Sequence, residues 1–283
     1  MSLWLCLRFD QLPLQCLSRC EQQPVAALVA QRVLRANNYA HTLGIRQGMS
    51  TATVRALTGS KPVRLLERDE QAEQRCLQQL CCWAYSITPT LYTRQAACLQ
   101  LEIGGCLSLF RGLDALLLEV ASGIGSRGYR VRYGLVSTPK AAWLLSFANH
   151  DTAMAIQQPL AERLSPLPLN LLEEFAATVD SLRRAGLHTL GDVLVLPPAA
   201  LGRRCGRAFT LFLQQLLGQR EDLRADYHPP ATFSDEYWFG YEVKTNDELL
   251  PAVQHLLQSL CRFLRNTQLQ TSEINWQLVG IHH

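Results

Sequence analysis

None of the ten cysteines forms a Cys-x-x-Cys pair, and the seven histidines are scattered, so the chain offers no zinc-ligand spacing. Free, mostly buried thiols in a reducing compartment are expected instead, with no metal and no cofactor. Long apolar runs are also missing. The best candidate, residues 113–120, carries Asp114 and Glu119 and falls far short of the ~20 apolar residues of a membrane span. At the N-terminus a short apolar stretch has no basic residues ahead of it and is too brief for a secretory core. A cytoplasmic protein with no membrane partner is the expectation. Net charge is scarce too: 27 Lys and Arg against 24 Asp and Glu leave +3, so a nucleic-acid signal must come from local clustering.

The chain does contain enough material for a large core. Its 283 residues are 48% hydrophobic, which suits an α+β chain of two or more domains. Residues 3–9 read as a buried strand stopped by Pro13. Val33, Ala36, Ala40 and Leu43 have helical spacing, Gly44 sits where a C-terminal cap belongs, and a second short helix restarts after Ser50. An amphipathic helix is predicted over 69–85, with acids in its first turn. Strands follow over 86–92 and 96–103, then a helix over 113–121, a loop over 123–128 and a strand over 129–136. That loop, Gly-Ile-Gly-Ser-Arg-Gly, matches Gly-x-Gly-x-x-Gly, but it follows a helix and precedes a strand. The order is the reverse of a dinucleotide-binding unit, which excludes that reading.

Further along, helices are expected over 175–185, ending at Gly186, over 189–196, and after Gly206. This stretch is locally basic. Between Ser181 and Arg224, Arg183, Arg184, Arg203, Arg204, Arg207, Arg220 and Arg224 stand against only Asp192, Glu221 and Asp222. After a linker at 227–231, a strand over 233–243, an amphipathic helix over 247–265 and a strand over 273–279 complete the pattern.

The run Ala36-Asn37-x-x-Ala40-x-x-x-Gly44-Ile45-Arg46-x-Gly48-Met49 resembles the fingers signature of the Y-family translesion DNA polymerases. The resemblance extends along nearly the whole chain. It implies a right-hand architecture: a palm from 1–10 and 67–164, small fingers from 11–66, a helix–hairpin–helix thumb from 165–226 and a partial little finger from 233–283. Only the first of that last domain's two halves would fall within the chain, leaving sheet edges unpaired.

The departures lie where the family carries its chemistry. Phosphoryl transfer by two metal ions needs hard oxygen ligands that converge on one spot. Leu101, Glu102 and Ile103 match the end of the family's second palm strand, which places Ala97 and Cys98 at its Asp-Glu pair. The first strand's metal-binding Asp falls on Leu7 or, shifted by one residue, on Arg8; Asp10 would remain as a lone acid. Where the family holds the incoming triphosphate with Tyr and Arg, this chain has Asn38 and His41, and a neutral imidazole lacks the guanidinium fork. Lys140 matches one Lys of a later element, while the second position is Leu144.

The resemblance therefore implies a non-catalytic, polymerase-like member of the family. It would bind primer–template DNA and recruit a sliding clamp and a replicative-type error-prone polymerase, with a RecA-like accessory protein, during damage-induced translesion synthesis and mutagenesis. Clamp and partner sites of such proteins usually lie in C-terminal parts beyond this chain. Residues 106–110, Cys-Leu-Ser-Leu-Phe, look like a clamp-binding peptide or else pack against the palm. Arg203, Arg204, Gly206 and Arg207 fit a phosphate-contacting turn or, alternatively, a solvated face. An active polymerase and a generic helix–hairpin–helix DNA-binding protein are the alternatives.

Overall fold

The computed structural model describes residues 2–18, 22–59, 61–94, 97–222, 227–228, 232–237, 239, 243, 245–267 and 269–278. At its centre lies an antiparallel sheet of four strands in the order β5-β6-β1-β7, formed by β1 (Trp4–Arg8), β5 (Leu91–Arg94), β6 (Cys98–Glu102) and β7 (Arg132–Val136). Helices cover both faces over much of this sheet, and its central strand β1, with Trp4, Leu5, Cys6 and Leu7 buried, reads as a nearly continuous apolar run. On one face Leu5, Leu7, Phe9, Leu99, Leu101 and Leu135 pack against α4 (Glu70–Tyr85) and α5 (Leu113–Ser126). On the other, Trp4, Cys6, Cys98 and Val136 meet α6 (Pro139–Leu145) and a helical region beyond it.

The helix expected over 69–85 is α4. Asp69 caps it, its side chain accepting from the Ala72 N–H, and Glu70 and Glu73 occupy the first turn. Glu73 is buried in a bidentate pair with Arg68 at 2.6 and 2.9 Å.

Three local expectations need correction. Residues 33–36 are extended: β3 (Arg32–Ala36) pairs with β2 (Val25–Val29), which also pairs in parallel with β4 (Arg64–Glu67). Ala30 and Gln31 have φ of 47° and 61°, a left-handed pair that closes a tight hairpin. Asn37 then accepts from the Ala40 N–H, so the helix starts only at α2 (Asn38–Thr42), and Gly44 ends it with φ of 86°. A third helix, α3 (Thr51–Thr58), restarts at the Ser50 cap as the sequence predicted. In the second correction, the supposed loop at 123–128 is mostly helix. α5 runs through Gly123, where a Cβ would lie 2.6 Å from Trp83 Cζ2; this glycine serves close helix packing and marks no turn. Thirdly, the strand expected over 86–92 begins only at Leu91, because Ile87 and Thr88 still donate to the Ala84 carbonyl as the chain leaves α4.

The remaining elements are α1 (Leu12–Gln15), α7 (His150–Met154), α8 (Leu160–Leu164), α9 (Ala176–Arg184), α10 (Leu190–Leu194), α11 (Pro198–Leu216) and α12 (Asn246–Thr267). Thr189 and Asp192 form a capping box at the start of α10, and hydrogen bonds from the His188 and Thr189 N–H groups hold the Asp192 carboxyl below its ordinary value. Arg163 is buried, has no carboxylate partner among the described residues, and donates to the Thr152, Ala153 and Leu135 carbonyls. Burial lowers its pKa. These bonds tie α8 to α7 and to β7.

Beyond the helical region, Tyr227 donates its N–H to the Leu91 carbonyl, and α12 packs against α4 and buries Ala252, Leu260 and Phe263. The flanking strands expected over 233–243 and 273–279 fall partly outside the described residues. Those described between 232 and 243 and over 269–278 form no strand, and 269–278 are exposed. A strand needs a neighbour for its N–H and C=O groups, and solvent takes that place here.

Candidate functional site

Side chains alternate along β1, and that alternation separates two adjacent residues by the full thickness of the sheet. Leu7 is fully buried in the core beneath α4 and α5. Arg8 is on the opposite face, in register with Cys98 of β6 on one side and Arg132 of β7 on the other. Residues directly opposite in antiparallel strands share a face, so Arg8, Cys98 and Arg132 form one row. Ala97, just before β6, packs toward the Leu7 side, and its carbonyl accepts from the Phe9 N–H.

Arg8 is held in place. Its Nε donates to Ser146 Oγ at 3.2 Å and its Nη2 to the Ser146 carbonyl at 3.1 Å, while the guanidinium lies 4.1 Å from the centre of the Phe147 ring. Asp10 is the one carboxylate of this group. Its Oδ2 is 4.0 Å from Arg8 and 4.0 Å from Arg132, and its backbone carbonyl accepts from Arg35 Nε at 2.7 Å. Burial lowers the Arg8 pKa from its ordinary value; Asp10 opposes that shift and Arg132 adds to it.

Cys6, one step along the same face, sits beside Cys98 of this row. Burial pushes the Cys6 thiol well up, and Cys98 is drawn down, first by its hydrogen bond with Cys6 and then by Arg8 and Arg94. Among the described residues no group of three or more His, Cys, Asp or Glu side chains converges. The two divalent ions that the polymerase resemblance implies need several hard oxygens at this point. A guanidinium and a thiol beside cations do not fit them, and Ala97, toward the other face, offers only a methyl group.

The other expected site residues are dispersed. Asn38 is exposed on α2, and His41 turns back, its Nδ1 lying 3.0 Å from the Ile45 carbonyl. Leu144 is fully buried in α6 and belongs to the core. Lys140 points toward the helical region, where it bonds Gln215 and meets Asp222 at 3.0 Å. With the Arg94–Glu174 pair at 2.9 Å and the Thr138 hydroxyl donating to the Leu216 carbonyl, this contact fastens β5 and the start of α6 to the turn before α9 and to the C-terminal end of α11. A crevice of about 680 Å³, lined by Tyr92, Arg94, Lys140, Phe175, Phe212 and Asp222 among others, lies at that junction.

Arg203, Arg204, Gly206 and Arg207 do come together. Gly206, with φ of 80° and ψ of 171°, breaks α11 into two helices, and all four residues are exposed at the break. Arg224 lies outside the described residues. In the peptide at 106–110, Cys106, Leu107 and Phe110 pack against the core and Leu109 is 75% exposed. Arg132, Arg35, Ser146 and Phe147 escaped the sequence reading. Alternation along 129–136 could place Arg132 on one face of its strand, but the pairing with β1 comes from the tertiary fold.

No protein-family model matches the chain. Protein ImuB of Caulobacter vibrioides (strain NA1000 / CB15N) is 28% identical over 219 residues, 77% of this chain and 47% of that protein. The chain spans about half the length of the curated relatives it matches. Among solved structures, the insertion ternary complex of Dbh DNA polymerase superimposes with a TM-score of 0.61 at 14% identity, covering 78% of this chain and 69% of that one. A Y-family DNA polymerase chimera of Dbh and Dpo4 gives 0.56 at 14% identity over 92% and 80%. The chain is thus similar to Protein ImuB over 77% of its length and has the fold of the Y-family DNA polymerases.

Proposed function

We propose that the protein is a non-catalytic, polymerase-like DNA-binding adaptor of damage-induced translesion synthesis and mutagenesis. In this reading the four-stranded sheet with α4 and α5 is the palm, the small sheet with α2 and α3 the fingers, α9 to α11 the thumb and α12 part of a little finger. The observation that carries it is the row on the α6 side of the palm sheet. Arg8, in register with Cys98 and Arg132, would in this reading stand where phosphoryl transfer needs carboxylates for two metal ions. A fixed positive charge there repels the cations that would stabilise the transition state. His41 and Leu144 add to this, since neither supplies a permanent charge to an incoming triphosphate.

A frame that retains the packing and lacks the carboxylates suits a scaffold. Primer–template DNA would lie across palm and thumb, held by backbone contacts around Arg203, Arg204, Gly206 and Arg207. A sliding clamp, a replicative-type error-prone polymerase and a RecA-like accessory protein are the partners proposed for the whole assembly, in the cytoplasm. Primer extension tests the catalytic half of the reading. With Mg²⁺ or Mn²⁺ and all four deoxynucleotides, the purified chain should add nothing to an annealed primer, and templated addition would overturn the proposal.

A further inference from the structure

Two arginines directly opposite each other on neighbouring antiparallel strands are an unfavourable pair, because like charges are brought close on one face. Arg8 and Arg132 form such a pair, and one carboxylate is shared between them. Asp10 stands 4.0 Å from each, too far for a hydrogen bond to either. Arg35 adds a third guanidinium, bonded to the Asp10 backbone carbonyl and so leaving that carboxylate's charge unchanged. The cluster therefore carries three cations and one anion where the central sheet meets the small one. Such local conflict persists where something else satisfies it.

We propose that Arg8 and Arg132, flanked by Arg35, form a binding site for a backbone phosphodiester of DNA, a fixed-cation replacement for the metal ions an active polymerase holds at this point. The proposal rests on the DNA-binding reading above and deepens it by naming where a phosphate sits. Arg8 is already oriented by its two bonds to Ser146 and its stacking on Phe147, so little side-chain freedom is lost when a phosphate arrives. Arg132 is 59% exposed on an edge strand and can supply its planar fork to the phosphate oxygens. Asp10 is 27% exposed and competes for the same guanidiniums. Binding here needs no divalent cation.

The test uses the full chain, a fluorescently labelled primer–template and anisotropy in EDTA across 50–200 mM salt. Wild type should bind without divalent cations. R132Q should weaken binding similarly for unrelated DNA sequences and lower the log–log salt slope by about 0.9, the share of one phosphate contact. R132K should retain most of that slope. D10N, which removes the competing carboxylate, should shift affinity the opposite way, and a purely structural role for the cluster would not produce that. If wild type binds and neither R132Q nor D10N changes affinity or slope, the phosphate site is refuted while the DNA-binding reading stands. If wild type fails to bind at any salt concentration, both are refuted.

Discussion

Replacing Gly134 with Ala should loosen the very face that holds Arg8. Gly134 is in β7 under α6, and a Cβ built on it would lie 2.0 Å from the Ala142 carbonyl oxygen and 2.8 Å from the Ser146 N–H nitrogen. Since carbon–oxygen contacts rarely close below about 3.3 Å, the helix would have to retreat by roughly 1.3 Å. It has nowhere to retreat: Ala141, Ala142, Leu144 and Leu145 are all fully buried. Overpacking a core costs about 1–3 kcal/mol, and with backbone atoms as the obstacle the upper end applies. At about 2–4 °C per kcal/mol for a chain of this order of size, Tm should fall by roughly 6–12 °C. Ser146, which ends α6, would move too and weaken the clamp on Arg8. Gly125→Ala is the control. It makes the same chemical change within α5, where nothing lies within 4 Å of the added Cβ, and should be neutral or stabilising by up to about 1 kcal/mol. Thermal melts followed by circular dichroism compare the two, and a G134A variant melting within two or so degrees of wild type would refute the close-packing argument.

Two further predictions concern the helical region and the thiols. Arg203→Ala combined with Arg207→Ala should reduce the log–log salt slope of DNA binding by about 1.8, the share of two phosphate contacts; an unchanged slope would make the break in α11 a solvated face. Burial pushes the Cys81 thiol from its ordinary 9.0 to about 12. Above pH 9 the unfolded chain gives up that proton while the folded chain keeps it, so stability present below pH 9 is lost as pH rises toward 12. Urea midpoints at pH 7 and pH 10 should therefore differ less in Cys81→Ala than in wild type, and an identical difference in the two proteins would contradict this.

Elements whose signals are local were legible in the sequence. Asp69 with two acids in the next turn marked α4, Thr189 and Asp192 stand at the start of α10, and Gly44 and Gly186 ended helices with positive φ. The misread segments are those where a distant partner decides. Val33 and Ala36 suit a helix by spacing and become a strand because β2 pairs with them. Gly123 suits a loop by composition and lies inside a helix because Trp83 packs against it.

The same division holds for the site. The sequence by itself determined that Ala97 and Cys98 cannot act as hard oxygen ligands in any arrangement, and the family resemblance left both Leu7 and Arg8 as candidates for the remaining position. Only the tertiary structure decided which face each of those two takes, because the alternation of β1 buries Leu7 beneath α4 and turns Arg8 to the other side of the sheet. It also brought Arg132 beside that arginine and Arg35 to the neighbouring Asp10 from strands far apart in the chain. Residue identity fixes the charge each side chain carries, whereas strand pairing fixes which charges meet.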